Sequence, residues 1–362
     1  MARPSTSPVL SVAAQRRSRR ARDERRVFHS VHPERSAPAG RAKSRDEFEL
    51  IAAFTRALPL RGEGVVLGVG DDAAVLRPPR GEDLVATTDA VVEGVHFDRR
   101  FGPEDVGWKA LAVNLSDVAA MGARPLWALV ALGVPKAATA ARLAGVARGL
   151  GRCARAAGIA IAGGNVSRAR ELSVTVTVIG AVRKGRALRR AGAREGDRVL
   201  VSGTLGEAAL GLERGAPAAL ARRQRRPVAR LALGRALAGL ATAAIDVSDG
   251  LVQDLGHLCR ASGAGADVRL EAVPLSAAYR RRVAGRDDPF AAALAGGEDY
   301  ELVVTVPPSK VAAALAAARR AGTPLAEIGR IVARPGVWVI RSDGARHPVA
   351  RGHDHLAGRA GF

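Results

Sequence analysis

The acidic residues of this chain stand where a folded protein can least easily leave them. Asp71 and Asp72 sit in LGVGDDAAVL, Asp89 in VATTDAVVEGVHF, Asp117 in AVNLSDVAAMG, Asp246 and Asp249 in AIDVSDGL, and Glu298 and Asp299 in LAGGEDYELVV. Each is surrounded by apolar residues, glycine, serine or threonine. Carboxylates are seldom buried without a partner, because an ionised group taken out of water is strongly destabilised. The fold must therefore bring these groups to cations, to hydrogen-bond donors, or together around a ligand. The chain as a whole carries a formal charge of +21, so these segments do not read as one solvated acidic face. Magnesium is held by a few carboxylates and waters together with substrate phosphates, so aspartates scattered along a chain can converge on it. The neighbouring glycines permit tight turns and close approach to a ligand.

The positive charge divides unevenly. Residues 1–45 hold twelve basic and three acidic residues, are rich in Arg, Ser and Pro, and show no apolar period. They are expected to form a disordered, dispensable basic tail. Only five of the 56 basic residues are lysine, which reads as a compositional bias acting on the whole chain. A basic surface favours polyanionic partners, phosphorylated metabolites included. No nucleic-acid reading motif accompanies the charge, and at 3% aromatic residues stacking platforms are scarce, so nucleic acid is not expected as a partner. Two cysteines exclude a disulfide framework or a zinc ribbon. Cys153 and Cys259 fall within helical patterns and read as buried apolar fillers. The longest apolar run, 126–134, is far short of the roughly 20 residues a bilayer needs. A cytoplasmic protein without membrane association is expected.

At about 150 residues per domain, the length predicts two domains. Periodicity predicts helices over 46–58, 103–122 and 138–157, the last ended by Gly158, and strands over 65–69, 84–92, 126–134, 159–162 and 172–182. In 172–182, Leu172, Val174, Val176 and Val178 alternate with Ser173, Thr175 and Thr177, as a half-buried strand requires. The charged stretch 183–196 reads as a junction. Beyond it lie strand 198–202, helix 205–214, an arginine-rich connection at 222–226, helices 228–240, 251–261 and 309–321, and strands 266–270, 300–306 and 337–341. Strands and helices mix without a regular βαβ alternation. The expected fold class is α/β of the α+β kind in two domains, 46–182 and 183–356.

Familiar nucleotide loops are missing. No lysine follows a GxxxxGK[ST] pattern, and GVGDDA at 68–73 places aspartates where a Rossmann turn would meet phosphate. Each acidic residue also has an ordinary reading. Asp71 or Asp72 can shape a turn, Asp249 can cap the helix starting at Gly250, and Asp117 can pair with an arginine of a neighbouring helix. His96 can be a packed core histidine.

Taken in order, GVGDDAAVL, TTDAVVEGVHF, WKALAVNLSDVAAMGARP, Gly163-Gly164, DVSDGL and GGEDYEL resemble the thiamine-monophosphate kinases, over about residues 47–356. The wider superfamily is similar to aminoimidazole-ribonucleotide synthetase: an N-terminal domain that dimerises through its strands, and a C-terminal α/β domain packed against it. The resemblance implies an ATP- and magnesium-binding domain over 46–182 and a homodimer. The implied reaction is in-line transfer of the ATP γ-phosphoryl group to thiamine monophosphate, the last step in making thiamine diphosphate. It implies several Mg²⁺ ions held by Asp72, Thr87, Thr88, Asp89, Asp117, Asn165, Asp246 and Asp249. ATP contacts would come from Gly164, Asn165, Arg190 and Ser248, and thiamine monophosphate contacts from His96, Glu298 and His353. Catalysis would rest on positioning and metal ions, with no catalytic side chain. Two residues depart from the family pattern. Asn165 stands where an aspartate is usual, and His353 where an aromatic residue is usual. Both bear on affinity. A selenophosphate synthetase would need a reactive cysteine near its N-terminal glycine-rich segment, which this chain lacks. A non-catalytic relative that keeps the fold is the reading from a different class.

Overall fold

The alternation read at 172–178 is realised in the centre of a four-stranded sheet. Val174, Val176 and Val178 are fully buried, while Ser173, Thr175 and Thr177 face the other side half-exposed. The computed structural model of the protein describes residues 47–70, 72–347 and 349. The first part of the chain builds α1 (Glu47–Thr55), a ribbon of β1 (Val65–Leu67) and β2 (Val75–Leu76), β3 (Glu82–Val92), α2 (Pro103–Ala120), β4 (Arg124–Val134), α3 (Ala140–Ala157), β5 (Ala160–Arg168) and β6 (Ser173–Arg183). The sheet order is β3-β6-β4-β5, antiparallel except for the parallel pair β4–β5.

The second part builds β7 (Arg198–Ser202), α4 (Glu207–Gly211), α5 (Ala218–Arg225), α6 (Leu231–Leu237), β8 (Ala243–Asp246), α7 (Leu251–Ser262), β9 (Gly265–Arg269), α8 (Ala277–Val283), α9 (Ala291–Ala295), β10 (Leu302–Val306), α10 (Val311–Arg320), β11 (Leu325–Val332) and β12 (Gly336–Ile340). Its sheet runs β12-β9-β11-β7-β10-β8, with only β12–β9 parallel among its pairs. No helix among the described residues is long and apolar enough to cross a membrane.

Several expectations shift. The arginine-rich stretch at 222–226 is the last turn of α5 and its cap, where the basic side chains suit the helix dipole. The helices expected over 205–214 and 228–240 shrink to α4 and α6. The strand expected over 159–162 runs on to Arg168. β8, β11, α8 and α9 carry no clear period, because three of them are only four to seven residues long and all are defined by their tertiary neighbours. Cys153 and Cys259 are buried, as expected.

Helix α2 starts with Pro103 at its first turn, with Glu104 and Asp105 suiting the positive end of the helix dipole. It packs closely on α3, where Gly107 and Gly149 leave room for the backbone of the opposite helix. The far side of α2 meets the second part of the chain. Ala119 and Ala120 share a core with Leu188, Leu200, Leu233 and Leu237, and Trp108 Nε1 donates to the Pro227 carbonyl at 2.8 Å. Glu301, fully buried beside β10, binds two guanidinium groups, Arg223 of α5 at 2.6 Å and Arg230 at 2.7 Å, and accepts from Ser202 Oγ at 2.5 Å. Removing either partner of such a buried pair strands the other and is strongly destabilising.

The tight α2–α3 crossing makes a direct test. A Cβ at Gly149 would collide with the Glu104 carbonyl. Gly149→Val should therefore lower stability by about 3 kcal/mol in chemical denaturation, with Gly149→Ala intermediate.

Candidate active site at the junction of the two sheets

Strand alternation decides which residues of TTD can act together. Thr87 and Asp89 of β3 point toward α2, and Thr87 Oγ1 donates to Asp117 Oδ2 at 2.7 Å. Thr88 points to the opposite face, where its hydroxyl donates to the Val176 carbonyl at 3.2 Å and accepts from Thr177 at 3.0 Å. One residue before Asp117, Ser116 Oγ donates to Asp246 Oδ2 at 2.6 Å, so the same turn of α2 reaches the last residue of β8. Burial, then the charge of Asp246 and that of Asp89, push the Asp117 carboxyl up to about 7, against the hydrogen bond from Thr87. Burial likewise pushes Asp246 up to about 6, with Asp254 adding to the rise and Ser116 and Arg190 opposing it. Asp89, Asp117 and Asp246 thus form a group of carboxylates whose own surroundings do not balance their charge. An all-oxygen set of this kind fits a hard divalent cation.

A second acidic group lies just beyond β8. Ligand atoms of Asp249, Asp254 and His257 are all within 4.8 Å of one another. Asp254 accepts from the backbone N–H groups of Ser248, Asp249 and Gly250 at 3.0, 3.0 and 3.1 Å. The turn-capping role open to Asp249 from sequence is therefore filled by Asp254, five residues on. Burial pushes Asp254 up to about 7 despite these donors. Arg190, on the stretch between β6 and β7, is close enough for its charge to favour ionised Asp246 and to disfavour protonated His257.

The third group gathers around Glu298. Its Oε1 is 2.6 Å from Lys109 Nζ of α2, and its Oε2 accepts from Gln224 Nε2 of α5 at 3.0 Å. Burial would raise this carboxyl, but the Lys109 charge and the two hydrogen bonds hold it below the usual range. Lys109 also donates to the His96 carbonyl at 3.1 Å, and His96 Nδ1 accepts from the Val92 N–H at 3.2 Å. His96 and Glu298, far apart in sequence, share one lysine. The Glu298 N–H donates to the Ser248 carbonyl at 2.7 Å, linking this group to the Asp249 turn. Glu298 and Tyr300 adopt left-handed φ values of 58° and 52°, a strain that persists only where surrounding contacts impose it.

Gly164 and Asn165 lie on β5, at the other edge of the sheet. The register runs Asp89–Val176–Val130–Gly164, so Gly164 is in the same row three strands away, about 14 Å. A side chain at Gly164 would run into the Val130 carbonyl, so glycine is required there. Asn165 pairs with Ala131 on the face away from α2, and the structure does not bring it to Asp117. Asp72 is exposed between β1 and β2. Asp71, His353 and the 1–45 tail lie outside the described residues. Sequence reasoning missed Lys109, Ser116, Gln224 and Asp254. Of these only Lys109 carried a signal, as a rare lysine inside an apolar helical run.

The raised carboxyls set a pH dependence. Burial pushes Asp117, Asp246, Asp254 and Asp299 up to about 7, 6, 7 and 7 in the folded chain, from the usual 3.8. Between about pH 4 and 7 the unfolded chain binds fewer protons at these positions, so stability falls as pH rises. In EDTA, the melting temperature should drop between pH 5 and 8, and Asp117→Asn should flatten that slope.

The family model for the N-terminal domain of AIR synthase related proteins matches residues 70–182, and the model for their C-terminal domain matches residues 194–341. The thiamine-monophosphate kinase of Salmonella typhimurium is 40% identical over 327 residues, covering 86% of this chain and 98% of that protein. The crystal structure of thiamine-monophosphate kinase from Stenotrophomonas maltophilia superposes with a TM-score of 0.75 at 41% identity, covering 83% of this chain and 98% of that one. AaThiL complexed with AMPPCP and TMP superposes with a TM-score of 0.68 at 32% identity, covering 87% and 99%. With identity of this level sustained over nearly the whole length of these relatives, and both AIR synthase related domains in place, the chain belongs to the thiamine-monophosphate kinase family.

Proposed function

We propose that the protein transfers the γ-phosphoryl group of ATP to thiamine monophosphate, producing thiamine diphosphate and ADP. The observation that carries this reading is the group of Asp89, Asp117 and Asp246, assembled from β3, α2 and β8 in a chain otherwise rich in positive charge. A phosphate oxygen of the acceptor forms the new bond to the γ-phosphorus. The bond from that phosphorus to the β–γ bridging oxygen breaks, and its electron pair leaves with ADP. The acceptor phosphate has a second pKa of about 6 and is largely dianionic near neutrality, so no side chain need act as a strong base.

The main obstacle is bringing two polyanions together in line. Asp89, Asp117 and Asp246 would hold Mg²⁺, with Asp72 and Asp249 as further ligands, and a bound divalent cation supplies neutralisation of phosphate charge. Thr87 and Ser116 orient two of these carboxylates. Gly164, Arg190 and Ser248 are assigned to ATP, and His96 and Glu298 to thiamine monophosphate. Thr88 and Asn165 face away from α2, so any part they take in holding metal comes from outside the Asp117 group. We also infer a cytoplasmic location, because both substrates are anions that a bilayer excludes.

We assign residues 46–182 to a dimerising domain and residues 183–356 to the C-terminal domain. Supporting a homodimer, the face of β3 turned away from α2 leaves Leu84, Ala86, Thr88 and Ala90 exposed, and the β1–β2 ribbon exposes Val66, Leu67 and Val75 beside them in sequence. Light scattering should give twice the mass of the chain, and Leu84→Arg should shift it toward the monomer.

The reaction is tested by assaying the purified protein with ATP, Mg²⁺ and thiamine monophosphate, with and without EDTA. Metal-dependent thiamine diphosphate and ADP are expected. Asp117→Asn should lose at least about 100-fold in rate while remaining folded, since it removes one charge from the site's centre. An unimpaired variant would overturn the metal assignment. Asn165, uncharged where the family carries an aspartate, favours one second reading, a relative that binds ATP without turnover. A folded dimer that binds ATP and yields no product would select it.

A further inference from the structure

Lys109 is fully buried, and phosphoryl transfer as proposed assigns it no part. An ammonium group persists in a protein interior only where an opposite charge and hydrogen bonds outweigh its desolvation. Lys109 has both: Glu298 Oε1 at 2.6 Å and the His96 carbonyl at 3.1 Å, with the Phe101 ring centre 5.4 Å away. The other oxygen of Glu298 is fixed by Gln224, itself buried. The ion pair is asymmetric. The Lys109 side chain is 1% exposed and that of Glu298 is 26% exposed, so the ammonium backs the carboxylate from within while the carboxylate keeps an open side.

These contacts join separate parts of the chain. His96 lies in the turn after β3, Gln224 on α5, and Glu298 on the loop between α9 and β10. Lys109 stands on α2, about 12 Å along the helix from Asp117. The backbone beneath Glu298 is equally constrained, by its left-handed φ and by the bonds from the Glu298 and Tyr300 N–H groups to the Ser248 and Val247 carbonyls at 2.7 and 2.9 Å.

We infer that Lys109 is a positioning residue for the acceptor half of the site: it locks the Glu298 carboxylate and the His96 turn onto the helix that carries Asp117, with Gln224 holding the carboxylate's second oxygen. The inference rests on the assignment of His96 and Glu298 to thiamine monophosphate. With one donor on each oxygen, the carboxylate is held from two sides while part of it stays exposed. The acceptor contacts and the acidic group are thereby kept in a constant relation, the kind of preorganisation whose loss slows a reaction without removing any reacting group.

The test uses steady-state kinetics of the full chain, varying thiamine monophosphate and ATP separately. Lys109→Met should lower kcat/KM for thiamine monophosphate about 10- to 100-fold while KM for ATP stays within about twofold. In a Glu298→Gln background, adding Lys109→Met should cost less than about threefold more, because Lys109 acts through that carboxylate. Equal losses toward both substrates, or full additivity with Glu298→Gln, would make the pair merely structural and overturn the inference. If Lys109→Met does not fold, Gln224→Leu must show the same selective loss, and an unchanged kcat/KM there would overturn it too. A wild-type chain that does not phosphorylate thiamine monophosphate would bring down the functional reading and this inference together. An active wild type with indifferent variants would bring down this inference alone.

Discussion

Ser116 and Asp117 are consecutive residues whose side chains bind opposite halves of the molecule, Asp246 at the end of β8 and Thr87 on β3. Adjacent positions on a helix point about 100° apart, so one turn of α2 can touch two sheets only if it is wedged between them. The packing of α2 therefore determines where the Asp89–Asp117–Asp246 group and the Lys109–Glu298 pair fall. Its contact with α3 on one side and with the Leu233–Leu237 core on the other leaves little freedom to shift that turn. The acidic group, the Asp249 turn and the Glu298 loop are all referenced to this helix.

Two acidic arrangements in the same molecule show opposite designs. Glu301 is matched by Arg223, Arg230 and Ser202, so its charge is satisfied locally and serves to tie α5 and α6 to the second sheet. Asp117 and Asp246 each accept from a hydroxyl, yet burial pushes both carboxyls upward, with the charges of Asp246 and Asp89 adding to the rise at Asp117 and that of Asp254 at Asp246. A chain selected only for stability would not keep the second arrangement beside so many arginines. Unbalanced carboxylates in a protein of +21 are the feature on which the proposed divalent-cation role rests.

Much of this is legible in the amino-acid sequence. The order of GVGDDAAVL, TTDAVVEGVHF, WKALAVNLSDVAAMGARP, DVSDGL and GGEDYEL identifies the family, and the alternation at 172–178 locates the sheet's buried face. The short elements β8, α8 and α9 escape such reading because their lengths are too small to show a period, and the helical state of 222–225 escapes it because arginines mask the pattern. The division of TTD between two faces follows from strand alternation, yet it depends on the strand's extent and register.

The sequence by itself determined the chemistry on offer: which carboxylates, hydroxyls and glycines are present, and that their setting demands cations, hydrogen-bond donors or a shared ligand. It also determined the family, because motif order along a chain survives without knowledge of contacts. Only the tertiary structure decided which groups meet. That Asp117 joins Asp89 and Asp246, that Asn165 faces the other way, and that Lys109 links His96 to Glu298 depend on contacts between residues as much as about two hundred positions apart. Local propensity carries no information about such pairs, since they are brought together by burial of apolar faces on α2 and the two sheets.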